Sequence, residues 1–395
     1  MKIGIYGGTF DPIHRGHITA AQAAAQQLGL DLLLLIPASI PPHKALPEGG
    51  ADAAQRLEMA TLAMAELSCP AQVLDVEVKR QGKSYTADTL RTLRRQYPED
   101  ELWLLMGTDM FLSLQDWREP QEILRLARVA AFSRTGDPEQ QRFARQRAYL
   151  EETFGAQVTV VENPHVVDIS STRLRQLLPE GREYLPEAVY GYILRQRLYG
   201  THAELKHLTP EELRPIALSF LKPKRMPHVL GTEQEAIRLA RRYGADETDA
   251  RIAALLHDCT KKLDMEQQLA LCRRYDIRLD ELEQHALKLL HAKTGAAVAR
   301  DIFGVKDAVY EAIRWHTTGK PDMTLLEKVI YLADYIEPNR DFPGVDELRR
   351  AVYDDLDKGL LMGLSDTIDE MERMGNPVHH DTLEARDFLL RGEAK

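Results

Sequence analysis

The segment KIGIYGGTFDPIHRGH, Lys2 to His17, begins with a short apolar run typical of a buried strand and continues into a glycine-rich turn. Gly7 and Gly8 allow the backbone to approach a ligand phosphate closely. His14 and His17 are three positions apart at the predicted start of a helix, so they would share one helix face. In doubly wound α/β sheets, ligands bind beyond the carboxyl ends of the strands. The segment therefore predicts the first strand-to-helix turn of such a sheet, with an anion site on it.

Strand-like and helix-like segments alternate over the first half of the chain. Six apolar runs are predicted strands, at residues 2–6, 31–37, 72–78, 101–107, 128–133 and 157–162. Amphipathic segments between them are predicted helices, at residues 17–29, 52–67, 86–97 and 138–154. Apolar strands separated by helices indicate a parallel sheet that is covered on both faces. We therefore expect an α/β doubly wound parallel sheet, Rossmann-like in type, over residues 1–200.

The second half has a different pattern. A chain of 395 residues exceeds one ordinary core, so two domains are expected. From about Thr209 onward the sequence contains no convincing strand, and helical periodicity continues nearly to the end. The segment 201–208 is polar and lacks periodicity. We therefore predict a linker at 201–208 and an all-α domain over residues 209–395.

Composition limits the classes of partner. The formal net charge is −10, which makes non-specific binding to nucleic acid or to an anionic membrane unfavourable. The three cysteines form no CxxC pair, and no apolar run approaches the ~18 residues of a membrane span. The first residues already read as a strand, without a signal peptide. We expect a cytoplasmic protein with no nucleic-acid or membrane partner; the pattern is compatible with a homo-oligomer.

A second group of polar residues stands in the helical half. His257 and Asp258 are embedded in the apolar helical run ARIAALLHDC, where an unpaired carboxylate would be costly to bury. Four further ligand-type residues surround this pair in the sequence: His228 lies upstream, and His291, His316 and Asp334 lie downstream. Together the six residues form the order H…HD…H…H…D. Imidazole together with carboxylate suits a borderline transition metal, and Asp258 could bridge two ions. The pattern predicts a metal centre, although a single buried histidine is usually only part of a core.

The first half resembles the nucleotidyltransferase superfamily with the signatures HxGH, here residues 14–17, and ISSTxxR, here residues 169–175. More narrowly, it resembles the bacterial nicotinate mononucleotide adenylyltransferases. The supporting segments are PPHK (41–44), SYTADTL (84–90), MGTDMFLSLQDW (106–117) and FSRTG (132–136). The resemblance implies transfer of the adenylyl group of ATP, with its Mg²⁺, to nicotinate mononucleotide in NAD biosynthesis, with release of pyrophosphate.

The chemistry of this transfer explains the residue types. A phosphate monoester has a second pKa near ~6, so the attacking group is already charged at neutral pH and needs no general base. Alignment and charge neutralisation remain to be supplied, and donors and cations suffice for both. His14, His17 and Arg175 are the predicted catalytic residues, whereas Asp11 or Asp168 as a base is the weaker alternative. The predicted substrate-binding residues at this end are Gly7, Gly8, Thr9, Phe10, Lys44, Arg134, Ser170, Ser171 and Thr172, with Lys44 and Arg134 as second-tier phosphate ligands.

The acceptor end of the pocket is assigned by the same resemblance. It implies that Trp117 stacks on the nicotinate ring, that Thr86 and nearby backbone N–H groups hold the ring carboxylate, and that Asp109 binds a ribose hydroxyl. A tryptophan face suits an aromatic ring, although Trp117 could also be a packing residue. Arg118 stands where an aromatic residue is expected, which is a departure from the family pattern at the rim of this pocket.

Residues from about 209 to 390 resemble the HD superfamily of metal-dependent phosphohydrolases in its two-metal form. More narrowly, HDCTK and the segment 315–349 resemble the bacterial symmetrical bis(5′-nucleosyl) tetraphosphatases, which split diadenosine tetraphosphate into two ADP. The resemblance implies one metal on His228, His257, Asp258 and Asp334, and another on Asp258, His291 and His316. It favours iron, with manganese, cobalt or zinc left open, and places Lys261 as a catalytic cation beside Arg340. His379 and His380 match no part of the pattern and are expected at the surface.

Two alternatives remain at this point. The helical domain could be a nucleotide-sensing module without turnover, although a sensor need not keep the whole ligand set. The transferase could instead use phosphopantetheine or flavin mononucleotide as acceptor, against which SYTADTL and GTDMF…W argue. The leading interpretation is a bifunctional enzyme, with adenylyl transfer in the first domain and hydrolysis at a dinuclear metal site in the second.

Overall fold

The computed structural model describes residues 1–40, 49–80, 82–133, 137–162, 167 and 169–392. These residues form two compact units, Met1–His202 and Ala203–Lys395. The predicted positions Lys44, Arg134 and Asp168 lie outside the described residues. The predicted domain ranges and the linker at 201–208 stay a prediction.

The first unit is built on one six-stranded parallel sheet. Its strands are β1 (Lys2–Gly8), β2 (Leu32–Pro37), β3 (Ala71–Val73), β4 (Glu101–Met106), β5 (Arg128–Ser133) and β6 (Val158–Glu162). Its helices are α1 (Arg15–Leu28), α2 (Ala53–Ala63), α3 (Thr86–Gln96), α4 (Thr108–Leu112), α5 (Pro120–Leu126), α6 (Asp137–Phe154), α7 (Ser171–Leu177) and α8 (Glu187–Gln196). The predicted α/β doubly wound class is confirmed.

The strand order is β3-β2-β1-β4-β5-β6, so the direction of winding reverses between β1 and β4. These two central strands are paired in parallel from Lys2 opposite Glu101 to Tyr6 opposite Leu105. Their side chains are buried on both faces, for example Leu104 on one face and Leu105 on the other, because helices cover the sheet on both sides. The carboxyl ends of β1 and β4 therefore form a topological switch point, where such sheets bind ligands.

One predicted strand is much shorter than expected. The predicted strand covers residues 72–78, whereas the observed strand that pairs with β2 is Ala71–Val73. The pairing ends there because the chain turns after Asp75, whose carbonyl accepts the Lys79 N–H at 2.8 Å. Glu77 is then turned inward, where its carboxylate accepts a 2.7 Å hydrogen bond from Thr89 on α3. Alternation of Val, Leu and Glu suited a strand, but the side-chain bond to α3 competes with further pairing.

The second unit is helical throughout its described part, which confirms the predicted all-α class. Its helices are α9 (Pro210–Leu218), α10 (Met226–Tyr243), α11 (Glu247–Leu256), α12 (Met265–Arg274), α13 (Leu287–Phe303), α14 (Asp307–Trp315), α15 (Leu325–Ile336), α16 (Val345–Asp354), α17 (Leu356–Arg373) and α18 (His380–Leu390). Helix α9 begins with a capping box between Thr209 and Glu212, as the Thr-Pro start of the segment indicates. Helices α10, α11, α14 and α15 pack around a common core. Among the described residues, no helix has the length and apolarity needed to cross a membrane.

Two candidate active sites

A cavity of about 510 Å³ lies at the carboxyl ends of β1 and β4. Both signature segments reach it, although they are about 150 residues apart in the chain. Of the predicted residues it is lined by Gly7, Gly8, Thr9, Phe10, His14, His17, Thr86, Trp117, Ser170, Ser171, Thr172 and Arg175. Asp109 is not part of this lining; it is exposed on the first turn of α4. The lining thus includes two groups of predicted residues: the glycine turn with the two histidines, and Thr86 with Trp117.

At two positions of this segment, Gly8 and Gly16, neighbouring atoms lie so close to the backbone that a side chain would clash with them. A Cβ on Gly8 would meet the ring of Phe10 at 2.8 Å, and Phe10 is itself buried with a φ of 50°. A Cβ on Gly16 would meet the His14 ring at 3.0 Å and the Val167 carbonyl at 3.1 Å. The glycine of HxGH therefore allows the segment that precedes ISSTxxR to lie directly against α1.

The two histidines of HxGH lie at the amino end of α1. The backbone N–H of His14, the N-cap residue, is donated to Nδ1 of His17 at 3.2 Å. Because Nδ1 of a neutral His17 is the acceptor, Nε2 carries the proton and is the donor that remains for a ligand. Burial lowers the pKa of His14 to about 4, while desolvation and the neighbouring His14 lower the pKa of His17 well below its usual value. Both imidazoles are therefore neutral donors in the free protein at pH 7.

Asp11 is a structural anchor rather than a free carboxylate. It is 2% exposed, and its Oδ1 accepts hydrogen bonds from the Tyr199 hydroxyl at 2.6 Å and from the Ala51 N–H at 3.1 Å. Arg175 donates to the Asp11 carbonyl at 2.6 Å and lies 3.7 Å from Asp11 Oδ2. These contacts argue against Asp11 as a general base, and they hold Arg175 beside the turn.

Further bonds fasten the two signature segments together. Ser171 donates to the Pro12 carbonyl at 3.0 Å, and Ser170 caps α7 by accepting the Arg173 N–H at 3.2 Å. Arg56, which is fully buried, donates to the carbonyls of Thr9 and Ser39, both at 2.8 Å. Sequence reasoning missed Arg56 and Tyr199. Arg56 was read as part of an ordinary amphipathic helix, and Tyr199 stands immediately before the polar segment.

The other end of the cavity is formed by Tyr85, Thr86, Trp117 and Arg118, with Glu77 below them. Thr86 is the first residue of α3, so backbone N–H groups of the first helical turn point to this end. Burial raises the pKa of Glu77, against hydrogen bonds from Thr89 and Ser84 that lower it. Trp117 is half-buried, and packing against the core also accounts for part of its contact surface.

In the second unit, the six predicted ligand residues lie on or next to five different helices and converge. His228, His291 and Asp334 belong to α10, α13 and α15, whereas His257 and His316 directly follow α11 and α14. The four histidines and Asp258 are buried, and the Asp334 side chain is 15% exposed. Two sets of ligand atoms each fall within 4.8 Å of one another: His228, His257 and Asp334, and His257, Asp258 and His316.

Asp258 lies at the centre, and its two oxygens face different histidine pairs. Oδ2 is 3.5 Å from His257 Nε2 and 4.0 Å from His228 Nε2. Oδ1 is 3.2 Å from His291 Nε2 and 4.0 Å from His316 Nε2. Asp334 Oδ1 lies on the first side, 2.9 Å from His228 Nε2 and 3.8 Å from His257 Nε2. This division of atoms corresponds to the two ligand groups predicted from the sequence; whether they hold ions stays a prediction.

The protonation of the rings suits metal ligation. Nδ1 of His257 contacts the Ala254 carbonyl at 2.6 Å, and Nδ1 of His316 contacts the Ile313 carbonyl at 2.7 Å. A carbonyl only accepts, so Nδ1 carries the proton and Nε2 keeps its lone pair. His228 Nδ1 lies 3.1 Å from Glu337 Oε1, which fixes that ring in the same way. Nε2 of His228, Nε2 of His257 and Asp258 Oδ1 are buried, and among the described residues they face other ligand groups of the cluster or Lys261, as expected for atoms that converge on a cation.

Electrostatics favour the ligand forms of these groups. Burial opposes the charge on Asp258, but His257, His291 and Lys261 keep its pKa well below the usual value. Burial lowers the pKa of His228, His291 and His316, so these rings stay neutral, whereas Asp258 and Asp334 raise the pKa of His257 against its burial, so a metal would replace a proton on that ring. A divalent metal is therefore well matched by ionised carboxylates and neutral imidazoles.

Three cations surround the cluster. Lys261 Nζ is 3.1 Å from Asp258 Oδ1, and Arg340 Nη2 is 3.0 Å from Asp334 Oδ1. Arg225, which sequence reasoning missed, contacts Asp258 Oδ2 through Nε and lies 3.8 Å from Asp334 Oδ1 through Nη2. Its position directly before a ligand-bearing helix and three residues before His228 could have indicated it, as could that of Glu337 three residues after Asp334.

The expectation that His379 and His380 both lie at the surface is wrong for His379. His379 is 5% exposed, caps α18 and places Nε2 2.9 Å from Asp280 Oδ2. Its Nδ1 accepts the Asp381 N–H at 3.2 Å, so the proton is on Nε2 and points to the carboxylate. His380 is exposed. The capping role of His379 explains its burial.

Comparisons with known proteins divide the chain in the same two parts. A cytidylyltransferase-like family model matches residues 5–177, and an HD domain model matches residues 225–339. The chain is 42% identical over 209 residues to a probable nicotinate-nucleotide adenylyltransferase of Gloeobacter violaceus, covering 51% of this chain and 98% of that protein. It is 41% identical over 179 residues to the symmetrical bis(5′-nucleosyl)-tetraphosphatase of Halalkalibacterium halodurans, covering 44% of this chain and 95% of that protein.

A crystal structure from Clostridium acetobutylicum, described as an HD superfamily hydrolase involved in NAD metabolism, is 42% identical, with a TM-score of 0.46 and coverage of 47% of this chain and 98% of that one. The two family models and the curated relatives of each half give the enzyme class, a nucleotidyltransferase joined to an HD hydrolase. The chain belongs to the nicotinate-nucleotide adenylyltransferase family in its first half and to the HD-domain family of the symmetrical bis(5′-nucleosyl)-tetraphosphatases in its second.

Proposed function

We propose that the protein is a bifunctional enzyme of nucleotide metabolism. The first unit transfers the adenylyl group of ATP to nicotinate mononucleotide, which gives nicotinic acid adenine dinucleotide and pyrophosphate. The second unit hydrolyses diadenosine tetraphosphate symmetrically to two ADP. The observation that carries the proposal is the division of Asp258 between two histidine pairs, in a chain whose other half carries HxGH and ISSTxxR around one cavity.

In the transfer step, a phosphate oxygen of the mononucleotide attacks the α-phosphorus of ATP while the bond to pyrophosphate breaks. The nucleophile is charged beforehand, so the residues at the turn need only bind and orient both phosphates. His17 Nε2–H and the N–H groups at the amino end of α1 supply neutral donors, and Arg175 supplies a cation that is held by Asp11. Mg²⁺ would neutralise the phosphates of ATP when it is bound.

In the hydrolytic step, two divalent metals would lower the pKa of bound water and so provide hydroxide at neutral pH. His228, His257, Asp258 and Asp334 would hold one ion, and Asp258, His291 and His316 the other. Glu337 keeps the His228 ring in its ligand orientation. Lys261, Arg225 and Arg340 carry positive charge at the same cluster and can neutralise the tetraphosphate chain.

The test is chromatography of the products of the full-length protein with each substrate set. ATP and nicotinate mononucleotide should give nicotinic acid adenine dinucleotide and pyrophosphate in equal amounts. Diadenosine tetraphosphate should give ADP alone. A split into ATP and AMP would contradict the second activity while leaving the metal proposal in place. Binding of the dinucleotide without turnover would instead favour a sensing domain.

A further inference from the structure

Arg118 occupies the rim of the cavity at its Thr86 end. It directly follows Trp117, lines the same cavity, and its guanidinium carbon lies 4.5 Å from the centre of the Tyr85 ring. Stacking on an aromatic ring holds the guanidinium plane in one orientation and leaves its N–H edge free to donate. Arg118 stands where the family pattern has an aromatic residue, and it thus presents an oriented cation at the rim of the cavity.

The described lining of the cavity contains two residues with a permanent positive charge, Arg175 and Arg118. Arg175 is bound to Asp11 at the end where the histidines lie. Arg118 is therefore the permanent cation, among the described lining residues, at the end formed by Thr86 and Trp117. The carboxylate of Glu77 lines the cavity too, and it would repel an anionic acceptor ring that lacked a cationic partner.

The adjacent Glu119 does not bind Arg118 exclusively. Arg118 Nε lies 3.5 Å from Glu119 Oε1, but Glu119 also forms a closer ion pair with Arg91. Arg91 does not line the cavity, whereas Arg118 does. Glu119 is thus shared between two arginines, and the one of them that lines the cavity, Arg118, can also pair with a ligand anion.

We propose that Arg118 pairs with the ring carboxylate of the acceptor and is the side chain that sets the preference for nicotinate mononucleotide over its amide. This inference rests on the proposed transferase function. Both acceptors carry the same 5′-phosphate and ribose, so only a contact to the ring substituent can separate them. A guanidinium binds a carboxylate with two parallel hydrogen bonds, whereas the neutral amide offers one acceptor oxygen and an N–H₂ group that faces the cation unfavourably.

The experiment compares kcat/KM for nicotinate mononucleotide and nicotinamide mononucleotide in full-length R118Q, R118K and R125Q. We expect R118Q to lower kcat/KM for the acid by about tenfold or more, in line with the loss of a half-exposed charged hydrogen bond. The value for the amide should change by less than about threefold, and the KM for ATP should stay the same. R118K should recover part of the preference, since lysine keeps the positive charge but cannot form the two parallel hydrogen bonds of a guanidinium.

R125Q is the matched control, because Arg125 is an exposed arginine that pairs with Glu122 and does not line the cavity. It should leave the acid-to-amide ratio unchanged. An equal loss for both acceptors in R118Q would overturn the inference and indicate a contact to the shared phosphate. An unchanged ratio would also overturn it and assign selection to the backbone N–H groups of α3. Absence of transfer by the wild-type protein to either acceptor would overturn the proposed function itself, together with this inference.

Discussion

The two candidate sites of this protein differ in the chemical groups that they present. The cavity of Met1–His202 presents neutral imidazoles and backbone donors, and its two carboxylates, Asp11 and Glu77, accept hydrogen bonds from Tyr199 and Thr89. The cluster of Ala203–Lys395 gathers ionised carboxylates, imidazole lone pairs and three cations in a buried place. The difference follows from the proposed nucleophiles. A phosphate monoester arrives charged, whereas water with a pKa of ~15.7 must be activated.

The comparison also concerns how a site is built. The first site depends on one continuous turn between β1 and α1, against which α7 is fastened by Ser171 and Arg175. The second is assembled from single residues on or next to five helices between His228 and Asp334. Damage to one residue should therefore affect the two sites differently. The following variants of the full-length protein test this, starting with the largest effect.

Replacing Asp258 with Ala should abolish hydrolysis of diadenosine tetraphosphate. The change removes both oxygens that face the two histidine pairs, so bound metal should fall in parallel, as measured by elemental analysis. Adenylyl transfer should remain at the wild-type rate. H380A, at an exposed position of the same unit, is the control and should do little. Two ADP per substrate from D258A would refute the assignment of this residue.

Replacing His17 with Ala should lower kcat of adenylyl transfer by roughly 10²-fold or more, the size expected for the loss of one charge-stabilising donor. Hydrolysis of diadenosine tetraphosphate should be unchanged. H202A, an exposed histidine of the same unit, is the control. Transfer at the wild-type rate in H17A would mean that the Nε2–H of this residue does not act on the phosphates.

Replacing Glu337 with Gln should weaken metal binding by about 10- to 100-fold, as for other partners that orient a ligating imidazole. The amide keeps the size of the side chain but cannot serve both His228 and the two donors of Asn339 as a carboxylate does. Metal affinity is measured by titration with a competing chelator. Transfer activity should not change. An affinity equal to that of the wild type would show that His228 is oriented without Glu337.

Replacing Tyr199 with Phe should have the smallest effect, and it should fall on the first site alone. The loss of the 2.6 Å bond to buried Asp11 should cost about 1–3 kcal/mol of stability and lower transfer several-fold, because Asp11 also positions Arg175. Thermal unfolding and transfer kinetics are the measurements. Y149F, at an exposed tyrosine, is the control. Unaltered transfer would indicate that Asp11 is held sufficiently by Ala51 and Arg175.

The same comparison explains what the sequence could predict. HxGH, ISSTxxR and the order of histidines and aspartates indicated the regions that converge, because ligand-type residues in apolar or glycine-rich surroundings are unusual. Arg56, Tyr199, Arg225 and Glu337 were missed, since each is an ordinary residue type whose role arises only from tertiary contacts to a carbonyl, a carboxylate or a ring nitrogen. The early end of β3 depends likewise on a bond between Glu77 and Thr89 that no local pattern reveals.

The most direct test of the opposition between the two sites is a metal add-back experiment on the full-length protein. The protein is stripped of transition metals with a chelator, dialysed, and assayed for both reactions with Mg²⁺ alone and then with Mg²⁺ plus Fe²⁺, Mn²⁺, Co²⁺ or Zn²⁺. We predict that Mg²⁺ alone restores adenylyl transfer fully but leaves hydrolysis of diadenosine tetraphosphate absent, and that one of the transition metals restores hydrolysis at about two ions per chain. Two results would contradict the account: full hydrolysis by the stripped protein with Mg²⁺ alone, or adenylyl transfer that is recovered only when a transition metal is added.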